Sequence, residues 1–292
     1  MKIKMSTDEK IFYTINYILL TVLAIMFIYP ILFVFSASVS NPYLLEIGEV
    51  TFLPKGFNFN SFFAAVKISG IWRAYGNSVF ITLVGTIVNM LFTVSGAYVL
   101  SKPELKYRKV IIMLVVMTLW FDPGLIPRYL NFRDLGLINT YTGLIIGFAV
   151  NTFNVIILKS FFESIPKSLE ESAKIDGASQ LKILTNIYLP LSTAALTTVS
   201  LFYAISRWNG YFWAMVLLTD DNKAPLQVFL KKLIVEKNTA GEAAQLILPE
   251  SLTSPQSVIY AVIVLSIVPV LILYPFIQKF FRKGVTLGAV KG

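Results

Sequence analysis

Long apolar runs broken by short polar segments set the pattern of this chain. Residues 11–45 contain no charge, and the apolar part, 11–35, exceeds the roughly 20 helical residues that cross a hydrocarbon core. A second charge-free run covers 74–100, where Gly85, Ser95, Gly96 and Ala97 offer small faces for close helix contact. The third, 110–121, is shorter and meets Asp122, Pro123 and Gly124, so it is expected to break rather than run straight. Residues 135–158 form a fourth, softened by Asn139, Asn151 and Asn154; 191–206 form a fifth and 257–278 a sixth. The pattern predicts an all-α, polytopic membrane protein with six transmembrane helices. Ser36, Ala37 and Ser38 also fit a leader-cleavage site, but the apolar part of a leader runs only about 7–15 residues, so the first run is read as a retained span.

The polar segments then divide the chain. Residues 1–10 form an arm, 11–281 a six-span body with outer loops 39–73 and 219–256, and 282–292 a tail. The first outer loop contains an aromatic stretch, 59–63, that fits a short helix; 220–254 reads as a polar loop. The insert 163–186 differs from both. Pro166 suits a first helical turn, and Ser168 with Glu171 fits a capping box, so a short helix is expected over 167–175. Gly177 should end it, Ser179 can cap a second helix, and Pro190 should kink or restart the chain. Leu169 and Ala173 share one face while Glu170 and Lys174 stay polar, which suits a short helix laid in a partner's groove.

Composition and charge narrow the chemistry. The chain is 56% hydrophobic and 14% charged, with a mean hydropathy of +0.71. It has no cysteine and no histidine, which removes disulfides, thiolate and imidazole ligands and the usual nucleophile–base pairs. No Gly-x-x-x-x-Gly-Lys-Ser/Thr loop is present, so any ATP must be bound by another chain. If the N-terminus is inside, most Lys and Arg fall on the inner segments 1–10, 101–109, 159–186 and 279–292, as the positive-inside rule requires. The net charge of +9 is therefore a topology signal, and a nucleic-acid surface is not indicated. Both termini and the insert fall on the cytoplasmic side.

The insert carries a family resemblance. Glu171-Ser172-Ala173, Gly177 after three residues, Ile187 after nine more, then Leu189-Pro190 reproduce the coupling-loop pattern of binding-protein-dependent ABC importer permeases, with Ser172 in place of an alanine. The ending Gly288-Ala289-Val290-Lys291-Gly292 is similar to the tail of the second permease of maltose-type carbohydrate importers. Lys102-Pro103 followed by Lys106 and Arg108, with the six-span layout, looks most similar to oligosaccharide and polysaccharide permeases of Gram-positive bacteria. The resemblance implies a type I ABC importer permease fold in a bacterial plasma membrane and a non-catalytic chain. It implies as partners a second homologous permease, two cytoplasmic ATPases carrying ATP and Mg²⁺, an extracellular substrate-binding protein, a carbohydrate and membrane lipids. It further implies ATPase docking at Glu170, Glu171, Ala173, Asp176, Gly177 and Ala178, and tail contacts at Gly288, Ala289, Val290, Lys291 and Gly292.

For the substrate path, Trp208, Asn209, Tyr211 and Trp213 combine aromatic faces with amide and hydroxyl groups, as sugar binding requires; they equally fit an interfacial aromatic belt. Asn151 and Asn154 fit either a path or interhelical hydrogen bonds. Arg207 fits a bridge to Asp122, the favoured reading, or contact with an acidic sugar such as a uronate. A stand-alone ion-coupled carrier fits composition and topology but expects acids buried in the spans. A membrane enzyme would need paired carboxylates or metal ligands on one side, and no such pair stands out.

Overall fold

The computed structural model describes residues 6–239 and 254–289, with side chains placed over 6–235 and 254–272. The chain divides into two compact units, Met1–Ile71 with Leu230–Val268, and Trp72–Phe229 with Pro269–Gly292. Among the described residues every regular element is helical.

In the first unit, α1 (Thr7–Ser38) starts at a capping box the sequence reading passed over. Ser6 Oγ accepts from Glu9 N at 3.2 Å and Glu9 Oε2 accepts from Ser6 N at 2.8 Å. Most of α1 is exposed apolar surface, as a lipid-facing helix requires, but Ser36, Ala37 and Ser38 in its last turn are buried. Ser36 donates to the Phe52 carbonyl at 2.8 Å, and Ser40 Oγ accepts from Lys55 N at 3.0 Å, folding the outer loop back onto the helix end. The small residues that fit a cleavage site are thus part of a core. Within this loop lie α2 (Pro42–Glu46), capped by Asn41, and α3 (Asn60–Lys67), the helix expected around 59–63.

The second span is one helix, α4 (Ile71–Ser101). The third run breaks as expected, into α5 (Arg108–Met117) and, after Asp122 to Gly124, α6 (Leu125–Asp134). The fourth run departs from expectation, because 135–158 is not one helix. It holds α7 (Tyr141–Ile146), a non-helical stretch around 148–151, and α8 (Thr152–Glu163). Two side-chain caps make the break: Thr140 Oγ1 accepts from Gly143 N at 3.0 Å, and Asn151 Oδ1 accepts from Asn154 N at 3.1 Å.

The insert forms α9 (Lys167–Ile175), then α10 (Gln180–Ile183) capped by Ser179, a π-helical turn (Leu184–Tyr188) and α11 (Leu189–Leu191). The expected Ser168–Glu171 capping box is absent; Pro166 occupies the N-cap and the Ser168 hydroxyl is not used to cap the helix. At Ser192 the chain turns through 86° into α12 (Thr193–Asn209), next to the expected Pro190 kink. Following α13 (Phe212–Leu217), the region expected as a polar loop contains a 3₁₀ turn (Asp221–Lys223) and α14 (Leu226–Thr239). Buried Leu226 and Val228, and the Leu226 amide bonded to Ser78 Oγ at 2.8 Å, anchor the start of that helix.

α15 (Pro255–Ala289) closes the described chain, so Gly288 and Ala289 of the expected tail end a helix; Val290, Lys291 and Gly292 lie outside the described residues. Thr7–Ser38, Ile71–Ser101 and Pro255–Ile272 are each long and apolar enough to cross a membrane; the bent pair Gln180–Leu191 and Thr193–Asn209 makes a fourth if taken as one span. The third and fourth of the six expected spans fall on the broken segments α5–α6 and α7–α8, neither of which holds a helix long enough to cross a membrane.

Candidate translocation cavity and coupling segment

The break between α7 and α8 leaves backbone carbonyls without helical partners in an otherwise apolar region. Such backbone persists at membrane depth only where protein groups satisfy it. Arg207, in the last turn of α12, does most of this. Its guanidinium donates to the carbonyls of Leu144, Ile145 (3.0 Å) and Phe148 (2.9 Å), and its Nε donates to Asn89 Oδ1 at 3.0 Å. Asn89 in turn donates to the carbonyls of Phe148 and Ala149, each at 2.8 Å. The expected Arg207–Asp122 bridge is therefore overturned, because carbonyls freed by the break take up the guanidinium. Gly85 makes the fit possible, since a Cβ there would lie 3.0 Å from Arg207 Nε. Gly147 is fixed for a similar reason, as its Cβ would fall 2.3 Å from the Phe132 ring.

Beside this clamp lies a cavity of about 890 Å³. Of the residues nominated for a substrate path, Asn151, Asn154, Arg207, Asn209, Tyr211 and Trp213 line it. Trp208 does not; it is buried, edge-on to Tyr75 with ring centres 5.8 Å apart. Asn151 also has a structural role, capping α8 and donating its amide to Tyr203 Oη at 3.1 Å, which is 2.7 Å from Thr93 Oγ1. Arg128, which the sequence reading did not nominate, lines the cavity from the first turn of α6. Its guanidinium carbon lies 5.2 Å from the Trp213 ring centre, within cation–π reach. Trp213 continues into Phe148 at 5.5 Å and Phe132 at 6.3 Å, so an aromatic wall stands behind the cation. Among the described residues no carboxylate lines this cavity.

The insert 163–186 is built on a buried charge. Glu170 turns inward from α9, where Lys102 Nζ donates to its Oε2 at 2.7 Å and Tyr188 Oη donates to the same atom at 2.6 Å. Its Oε1 accepts no well-aligned hydrogen bond but lies 2.9 Å from Lys174 Nζ, an ion pair across one helical turn. Lys102 also sits over the Tyr98 and Tyr188 rings, at 4.0 and 4.2 Å. Burial pushes the Glu170 carboxyl up, but the hydrogen bonds from Lys102 and Tyr188, the close Lys174 ammonium and the charge of Lys102 outweigh it and bring it down to about 2. Of the six residues nominated for docking, then, Glu170 is occupied inside the chain, and Ala173 and Ala178 pack against the core with Ile187 and Leu189.

Glu171, Asp176 and Gly177 are exposed. Gly177 closes α9 with a left-handed φ of 74°. Its amide bonds the Lys174 carbonyl at 3.1 Å and the Ala178 amide bonds the Ala173 carbonyl at 2.9 Å, a Schellman ending. Two apolar residues missed by the sequence reading stand out on this surface: Ile175 is 86% exposed and Leu181 70%. Their signal was present, as apolar side chains beside the glycine turn of an otherwise polar insert.

No family model matches the chain. Full-length relatives do. The polygalacturonan/rhamnogalacturonan transport system permease protein YtcP of Bacillus subtilis (strain 168) is 40% identical over 287 residues, 97% of this chain and 99% of its own length. Protein LplC of the same strain is 37% identical over 286 residues, 97% of this chain and 96% of that one. A chain in the crystal structure of a bacterial ABC transporter involved in the import of the acidic polysaccharide alginate matches with a TM-score of 0.88 and 43% identity, covering 96% of this chain and 100% of that one. With the inward-turned coupling segment and the clamped, broken spans, these likenesses place the chain by descent: it belongs to the permease subunits of carbohydrate ABC importers.

Proposed function

We propose that this permease moves an acidic oligosaccharide or polysaccharide, one bearing uronate carboxylates, inward across a bacterial plasma membrane. The observation that carries this reading is the cavity wall: Arg128 and Arg207 line it, aromatic rings stand behind Arg128, and among the described residues the wall itself carries no carboxylate. The named substrates of two relatives, polygalacturonan/rhamnogalacturonan and alginate, fit the same chemistry. The chain itself is non-catalytic. A second homologous permease completes the path, an extracellular binding protein delivers the sugar, and two cytoplasmic ATPases bind ATP and Mg²⁺. Both termini face the cytoplasm.

Coupling runs through α9 and the turn after it. Glu171 and Asp176 offer charge to the ATPase and Ile175 and Leu181 offer apolar anchors, while Ala173, Ala178 and Glu170 hold the helix to the body of the permease. Closure of the ATPases on ATP then moves the coupling segment together with the spans it joins, alternating access between the two sides.

The test is reconstitution of the complete assembly in lipid vesicles, with ATP hydrolysis measured against a panel of loaded binding proteins. Stimulation by uronate oligosaccharides and not by neutral ones of equal length is the expected result. Stimulation by neutral sugars alone would sink the acidic assignment.

A further inference from the structure

We propose that Arg128 is the residue that reads the substrate carboxylate, and that Asp122 occupies its guanidinium as an internal counter-ion while the cavity is empty. The inference rests on the acidic-saccharide reading above and assigns it to a site. Of the two arginines on the cavity wall, Arg207 is committed to three carbonyls and Asn89. Arg128 is not held in this way. Its Nη2 has a single ion-pair contact, 3.3 Å from Asp122 Oδ2, and the Asp122 side chain is 71% exposed against 29% for Arg128. A long, one-pronged contact to a solvated carboxylate is a weak pair. A guanidinium takes a carboxylate best through two parallel hydrogen bonds, and a uronate entering the cavity can supply that geometry.

Position supports the same assignment. Arg128 and Gly147 line both the 890 Å³ cavity and a second of about 410 Å³, which also touches Pro123 and Pro127. A saccharide passing between the two moves past this guanidinium. The Trp213 face beside it presents an apolar platform of the kind that stacks on the C–H face of a sugar ring, so charge and ring are read together. Asp122 itself is fixed by its other oxygen, Oδ1, which accepts from Gly124 N at 2.8 Å at the start of α6. The counter-ion therefore stays at the rim when the substrate displaces it.

The experiment uses the complete purified assembly, titrated calorimetrically with an oligogalacturonate in the absence of binding protein, with vesicle uptake of the same sugar as a second readout. Arg128→Gln should weaken binding at least about tenfold, with Arg128→Lys intermediate because a point charge remains. Asp122→Asn keeps the acceptor for Gly124 and removes the competing charge, so it should tighten binding about two- to fivefold. The double exchange Arg128→Asp with Asp122→Arg keeps an ion pair but moves the cation to the rim, and should leave binding weak. Full recovery in that double variant would show that the pair is structural and overturn the inference, as would unchanged binding in Arg128→Gln. If the wild-type assembly takes up only neutral sugars, the functional reading itself fails, and no variant is needed to see it.

Discussion

Glu170 carries more of the coupling segment's structure than its place in the sequence suggests. A carboxylate beside an apolar stripe on a nine-residue helix reads as solvated surface, and only the fold brings Lys102 and Tyr188 to it. Its folded-state pKa of about 2 lies below the ordinary glutamate value of 4.5, so the unfolded chain binds more protons between those values. Stability from this network is accordingly complete above pH 4.5 and is lost as pH falls toward 2. Glu170→Gln should remove that acid-sensitive component and cost on the order of 3 kcal/mol at neutral pH, read as the pH dependence of thermal unfolding in detergent. An unaltered acid profile in the variant would assign the acid sensitivity elsewhere. Arg207 makes the complementary point. Charge pairing is the partner rule a sequence displays, and it led to Asp122; backbone carbonyls freed by a helix break are acceptors that no sequence position advertises.

Among the elements, those bounded by backbone chemistry were legible and those bounded by tertiary contact were not. Pro166 and Gly177 bracket α9, and Ser179 caps α10 as expected, because a fixed φ, a left-handed φ and a short hydroxyl each act within a few residues. The 135–158 run reads as one span because it lacks charge, yet Thr140 and Asn151 act as helix caps inside it. Asn151 reads in the sequence as a residue that softens the span rather than one that starts a new helix, and Thr140 gives no signal of its own. α14 was missed because Lys231, Lys232 and Lys237 interrupt its apolar residues and give the segment the look of a polar loop, while Leu226 and Val228 do the anchoring. At the coupling turn the local rule yields a prediction. Gly177→Leu forces a side chain into a left-handed conformation at about 1–2 kcal/mol, with open space around its Cβ, so the strain is backbone strain alone. The variant should assemble with its partners but lose most of the ATP hydrolysis stimulated by binding protein. Full stimulation would show that the shape of this turn does not matter to coupling.

For the whole molecule, charge-free length announced a membrane protein, and the resemblance in the insert announced which kind. The six apolar runs did not translate one for one into crossing helices, since the third and fourth are broken and the fifth is bent by 86°. Breaks and bends are what give the second unit a cavity, and hydropathy cannot see them because they change backbone direction without changing composition. A permease driven by partner ATPases should transport without help from ion gradients. Uptake into vesicles carrying the complete assembly should stop when ATP is withheld and continue unchanged when ionophores collapse sodium and proton gradients; loss of uptake with ionophores would restore the carrier reading.

The close approach of Arg207 to Gly85 ties the two positions together. The guanidinium that a side chain at 85 would press on is the one holding the Ile145 and Phe148 carbonyls, so a larger residue at 85 and the arginine at 207 compete for one space. A bulky side chain at 85 should therefore loosen the broken span that Arg207 pins, and the same substitution should cost less once Arg207 is itself replaced by alanine.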